Sequence, residues 1–320
     1  MSDPEASSFV GRIVFGSADT RIRATWRIIV TLVVIFGGAL FGAVLLQGFP
    51  LPTWIAPVAG HLFATIAAIG GITLMARYIE HRKISDYGFS ISIGWWLDLF
   101  AGVLFGCLLV GVAFGLNYVR GEIIIVDTIA IGNAPSFSLG FLVSILAWIL
   151  VGFWEETLFR GHFLTNAAEG LKTRDFSLKA SLFGALVSSS VVYGVLHGPF
   201  GSNPSGDSLF YALAMTIAMG GLFGIAYILS GELAVPIGLH IGINFAEHNL
   251  FLGSPESAIP TILRVEQAGS GTAVQFQSMD AIVMVPVFAL GYILVAGWFY
   301  SRQGTIESYT DLVHHPPISK

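Results

Sequence analysis

Polar side chains inside long apolar runs are costly and mark candidate sites, and this chain carries three groups of them. The first is Trp154-Glu155-Glu156-Thr157-Leu158-Phe159-Arg160-Gly161. On a helix Glu156 and Arg160 stand at i,i+4 and can form an ion pair. Glu155 points about 100° away and cannot easily share that arginine. Glu156 therefore reads as the neutralised, structural carboxylate and Glu155 as the free one. His162 lies two turns beyond Glu155, on nearly the same face. The second group is His197, with Tyr193 one turn before it and Ser190 two turns before it. The third is His240, Asn244, Glu247 and His248, spaced i, i+4, i+7, i+8 as one polar stripe. Such a stripe must face a cavity, water or other polar groups rather than lipid. Pro236 marks either the start of this helix or a kink in it. Each group also has a plainer reading: a helix end whose charges reach water, an interfacial histidine, and helix–helix hydrogen bonding by His240 and Asn244.

A carboxylate and an imidazole can polarise a water as general base and pass its proton on. A histidine and an asparagine can hold the oxyanion of a tetrahedral intermediate. Together the three groups form a hydrolase set with no Ser or Cys nucleophile. Glu155, His197 and His240 are also candidate zinc ligands, since zinc accepts N and O donors. No HExxH helix is present. The cofactor is left open between zinc and none. Cys107 is the single cysteine, which excludes a disulfide framework and a cysteine-built zinc site.

The elements that must position these residues are transmembrane helices. The 320 residues are 54% hydrophobic and only 11% charged, too few charges to cover a soluble globule of this size. A net charge of −5 excludes nucleic acid as a partner class. Spanning helices need about 20 apolar residues, and eight stretches qualify: 26–46, 54–77, 95–118, 137 to beyond 154, 180–197, 209–229, 233–252 and 281–300. With the N-terminus in the cytoplasm, thirteen Lys and Arg fall inside and only Arg120 and Arg264 outside. That bias predicts both termini to be cytoplasmic. The expected fold class is all-α: a polytopic membrane helix bundle over residues 24–301, with its catalytic core at 137–252. A short polar N-terminal segment (1–23) and a cytoplasmic tail (302–320) flank it. No cleavable signal peptide is expected at the N-terminus. The external segment 253–279 has no clear period and reads as a lid or a loose loop.

The chain resembles the CPBP family of intramembrane proteases, which includes the type II CAAX prenyl endopeptidases and the abortive-infection and bacteriocin-processing proteins. That family carries EExxxR, FxxxH and HxxxN motifs, in that order. Here they read Glu155-Glu156 to Arg160, Tyr193 to His197, and His240 to Asn244. Tyr193 replaces the common phenylalanine and keeps the ring. The resemblance implies that Glu155 and His197 activate water, that His240 and Asn244 hold the oxyanion, and that Glu156 and Arg160 brace the site. It also implies a membrane-bound peptide or protein substrate, prenylated or leader-like, met at the lipid bilayer. The composition is compatible with a prokaryotic plasma membrane. A proton-coupled transporter and an idle immunity or scaffold protein are the competing functions. In the simplest topology His197 would lie roughly 25 Å deeper than Glu155. Either a long fourth helix that starts outside the bilayer, placing Glu155 in mid-membrane, or a fifth that begins below the membrane would bring them together; the first, with a water-filled cavity, is preferred.

Overall fold

The computed structural model of the protein describes residues 14–15, 22–201, 207–306 and 308, with the side chains of 198–201 and 207–208 set aside. The expected polar end segments, 1–23 and 302–320, lie mostly outside the described residues. The architecture is an all-α, multi-pass membrane bundle with one small two-stranded ribbon.

Among the described residues, seven helices are long and apolar enough to cross a membrane. They begin with α1 (Ala24–Gln47), α2 (Ala56–Met75, extended by a π turn Ala76–Glu80) and α3 (Ile93–Val119). The fourth, Phe137–Lys172, is a single run of 36 residues, built of α4 (Phe137–Glu156), a π turn (Thr157–Leu164) and α5 (Thr165–Lys172). Then come α6 (Leu178–Gly201), α7 (Asp207–Ser230) and, last in the chain, α9 (Ala281–Gln303). Several starts are set by local chemistry. The Ser92 and Ser136 hydroxyls accept from the Trp95 and Leu139 amides, and the Asp280 carboxylate accepts from the Val283 amide, as N-cap side chains do.

The remaining one of the eight expected stretches, residues 233–252, is not among these seven. That stretch folds as α8 (Ala234–Phe245) followed by a π turn (Ala246–Phe251). Together they run from the α2–α3 connection, where the Leu233 amide donates to the Gly88 carbonyl, to Gly253, whose amide donates to the Leu263 carbonyl. Every residue from Ala234 to Ile243 is buried, so α8 is the axle of the bundle, packed mainly against α3 and also against α4 and α7.

The α3–α8 seam is made of backbone. Gly102 and Gly106 on α3 face Gly238 and Gly242 on α8. A Cβ on Gly102 would lie 2.5 Å from the Val235 carbonyl oxygen, and one on Gly106 2.5 Å from that of Leu239. In return, Gly238 abuts the Leu99 carbonyl and Gly242 the Val103 carbonyl. Two interlocked GxxxG patterns thus let the helices touch, as small residues do in membrane bundles.

The segment expected to be a lid or a loose loop contains β2 (Thr261–Gln267). It pairs antiparallel with β1 (Ile123–Ala130), a strand in the α3–α4 connection, with a register shift between Ile125 and Asp127. Arg120 ties this ribbon to the start of α9 through the Asp280 carboxylate at 2.7 Å.

Candidate active site

The long fourth helix brings Glu155 and His197 together. Its run continues seventeen residues past Glu155 to Lys172, and α6 climbs back nineteen residues from Leu178 to His197. The two positions are therefore level in an antiparallel pair. His197 Nε2 lies 3.0 Å from Glu155 Oε2. His197 Nδ1 donates to the Tyr193 carbonyl at 2.8 Å, which leaves Nε2 as the nitrogen facing the carboxylate. Glu155 itself is buried, 7% exposed.

α8 supplies the third group. His240 Nε2 is 3.9 Å from the same Glu155 Oε2. On its other edge His240 Nδ1 bonds Glu156 Oε1 at 2.8 Å. Glu156 Oε1 also accepts from Arg160 Nη1 at 3.1 Å, the expected i,i+4 pair, and both residues are fully buried. The adjacent carboxylates thus diverge: Glu155 faces two imidazole edges, while Glu156 links Arg160 to His240. Asn244 follows one turn beyond His240 on α8, half-buried.

Tyr193 joins the groups by its ring. It stacks on His197 at 4.0 Å between centroids and stands edge-on to His240 and Phe159. The Arg160 guanidinium lies 4.5 Å from the Tyr193 centroid and 5.1 Å from that of Phe223, in range for cation–π attraction. Its Nη2 donates to the Gly220 carbonyl at 3.0 Å. Gly220 lacks the Cβ that would sit 3.3 Å from that nitrogen.

Three expected site neighbours point elsewhere, and π turns account for this. A π turn breaks the 3.6-residue period, so the face of Glu155 does not continue to His162. His162 Nε2 instead contacts Glu80 Oε1 at 2.9 Å and the Thr31 hydroxyl at 3.2 Å. The α8 stripe splits in the same way at Ala246. Glu247 accepts from the Phe276 amide at 3.0 Å and anchors the segment 253–279. His248 stacks on Trp148 at 4.9 Å.

Two features escaped the sequence reading. His61 on α2 is within electrostatic reach of both Glu155 and His240, and its ring tilts toward Trp148. Its signal was present: a lone ionisable residue in an apolar span. The second is a buried ionic cluster. Glu80 receives Tyr87 Oη at 2.6 Å and Asn166 Nδ2 at 3.1 Å, and Arg82 Nε lies 3.3 Å away. Glu169 pairs with Arg27 and with Arg82. Burial alone would lower the Arg82 pKa, but Glu169, Tyr87 and Glu80 outweigh it and raise it. Arg27, Arg82 and Arg160 are thus interior charges rather than loop charges, so the inside excess of Lys and Arg is carried by the others.

A metal fits this arrangement poorly. The Glu155 and His197 atoms that would ligate it lie against each other at 3.0 Å. No group of three His, Cys, Asp or Glu among the described residues is disposed to hold a metal ion.

Residues 137–246 match the family model described as "Type II CAAX prenyl endopeptidase Rce1-like". No curated protein and no solved structure matches the chain. The matched stretch runs from the first residue of α4 to the end of α8 and holds Glu155, His197, His240 and their neighbours. With all three motifs inside it, this match supports the CPBP family of CAAX-type intramembrane proteases as the family of this chain.

Proposed function

We propose that the chain hydrolyses a peptide bond of a membrane-associated substrate, using water activated by Glu155 and His197. The family match implies a peptidase of the CAAX type in general. The observation that carries the finer reading is the convergence of two imidazole edges on one carboxylate oxygen, at 3.0 and 3.9 Å. A water beside Glu155 Oε2 gives up a proton to the Glu155–His197 pair as its oxygen bonds to the scissile carbonyl carbon. His240 acts here as the imidazolium, with Nδ1–H on Glu156 and Nε2–H donating, beside the Asn244 amide, to the resulting oxyanion. Glu156 holds His240 Nδ1 and so aims Nε2 at the reaction. As the C–N bond breaks, the pair returns the proton to the departing amine. Nothing else is consumed.

The test is cleavage of fluorogenic peptides, farnesylated and plain, by purified wild type and by Glu155→Gln. Each assay is repeated with a chelator and with added zinc. Cleavage by wild type alone, unchanged by chelator, is expected. A Glu155→Gln variant that cleaves as fast as wild type would overturn the assignment of the base. Loss of wild-type activity to chelator, restored by zinc, would overturn the metal-free reaction.

A further inference from the structure

Away from the active site, the first turns of α1, the end of α5 and the middle of α6 enclose a cavity of about 590 Å³. That is within the range of small-molecule sites. Its two ends differ in chemistry. Arg23 just before α1, Arg27 on its first turn and Arg174 just after α5 stand at one end. The helix ends meet there, with Gly170 against Ala24. Ile29, Leu32 and Phe163 line the deeper part. Neither Arg23 nor Arg174 pairs with a carboxylate among the described residues. Arg27 is 4% exposed and paired to Glu169 through its terminal nitrogens, yet its buried Nε–H has no acceptor. Ile29 is 42% exposed and Val33 67%, so this side of α1 faces the bilayer and the cavity opens toward lipid.

We propose that this cavity binds one anionic phospholipid of the surrounding membrane. The phosphate sits on Arg23 and Arg174, with the Arg27 Nε–H turned to it, and one acyl chain runs down between α1 and α6. A purely apolar tail would leave the arginines and the buried N–H unanswered, and a zwitterionic headgroup would neutralise them less. The site is separate from the proposed peptidase reaction and stands or falls without it.

The test is native mass spectrometry of the full chain in detergent, titrated with dioleoylphosphatidylglycerol or dioleoylphosphatidylcholine. One retained phosphatidylglycerol is expected. Its preference over phosphatidylcholine should be about thirtyfold, the effect of two arginines near a membrane surface. Arg23→Ala/Arg174→Ala should bring the two lipids close to parity. Ser188→Phe, which fills the cavity and leaves the arginines in place, should abolish the retained lipid. Thr25→Trp at the exposed mouth repeats that block without touching the core. Equal retention of both lipids by wild type would overturn the proposal. So would undiminished retention in both filling variants, which would mark surface attraction only. Displacement of the lipid by inorganic phosphate would overturn it too, in favour of a site for free anions.

Discussion

Glu156 Oε1 is shared by His240 Nδ1 at 2.8 Å and Arg160 Nη1 at 3.1 Å, so the second carboxylate of the pair fixes the edge that His240 turns to Glu155. The two glutamates therefore fail differently when altered. Glu155→Gln should lower cleavage by about 10²–10⁴-fold and leave the unfolding midpoint in detergent unchanged. Glu156→Gln leaves the Arg160 charge buried, which costs about 3–5 kcal/mol. That variant should lose stability as well as activity. The reverse pattern of midpoints would show that the roles are exchanged.

Tyr193 acts through its ring, wedged between Arg160 and His197. Tyr193→Phe should keep both contacts and leave cleavage near wild type. Tyr193→Ala opens a cavity and uncovers the guanidinium, at a cost of about 3–5 kcal/mol. A large activity loss in the phenylalanine variant would give the phenol hydroxyl a part that this account does not assign to it.

The α3–α8 seam sets the height of His240, because Gly238 and Gly242 flank it on the packed face of the same helix. A side chain there must push two backbones apart. Gly238→Val should destabilise the bundle by about 1–3 kcal/mol or more and reduce cleavage, although it touches no proposed catalytic group. Unchanged unfolding and unchanged kcat in that variant would refute backbone contact as the constraint.

His61 reaches the site from α2, outside the matched stretch. His61→Ala should reduce kcat on the order of tenfold, less than the loss at Glu155, with the unfolding midpoint intact. Steady-state kinetics separate this from a packing effect: a change in stability alone, with kcat preserved, would remove His61 from the site.

At the two-stranded ribbon, the hydrogen bond from Arg120 is the main cause that depresses the Asp280 pKa below its usual 3.8. A depressed folded-state value stabilises the fold above the unfolded pKa, and that stability is lost as pH falls through the folded value. The contribution is small because the pair is exposed. The unfolding midpoint of Asp280→Asn should therefore sit slightly below wild type at pH 7 and converge with it below about pH 4. Parallel curves down to low pH would dismiss the pair as a contributor.

Much of the site could be read from spacing alone. The i,i+4 relation of Glu156 and Arg160, and the divergence of Glu155 from them, need only helix geometry. The observed contacts follow that reading. The need for a long fourth helix or a lower start of the fifth was legible as well; the structure lengthens the fourth past Glu155, to Lys172, rather than at its start. Residues beyond the π turns were not, because a helical wheel assumes one period throughout. His162, Glu247 and His248 left their expected faces for that reason. The buried charges Arg27, Arg82 and Glu169 were hidden by a different cause. Near the ends of apolar runs a solvated charge and a paired interior one look alike in sequence, and only partners from distant helices distinguish them. The ribbon depends on pairing between segments about 130 residues apart, which no local pattern in either strand announces.

The π turn at Thr157–Leu164 also fixes a phase relation along the fourth helix. Upstream of it lie Glu155 and Glu156, turned toward α6 and α8. His162, inside it, and Asn166 and Glu169, downstream, are turned toward the charges of α1 and α2. Winding the same residues as plain α-helix, with none removed, would rotate one half against the other by about 100°. Either set of partners could then be met, but not both. A single-residue deletion inside the turn, which restores plain α-helix and keeps both phases, should therefore be tolerated better than a single-residue deletion in α4 or α5, which turns one half by about 100°.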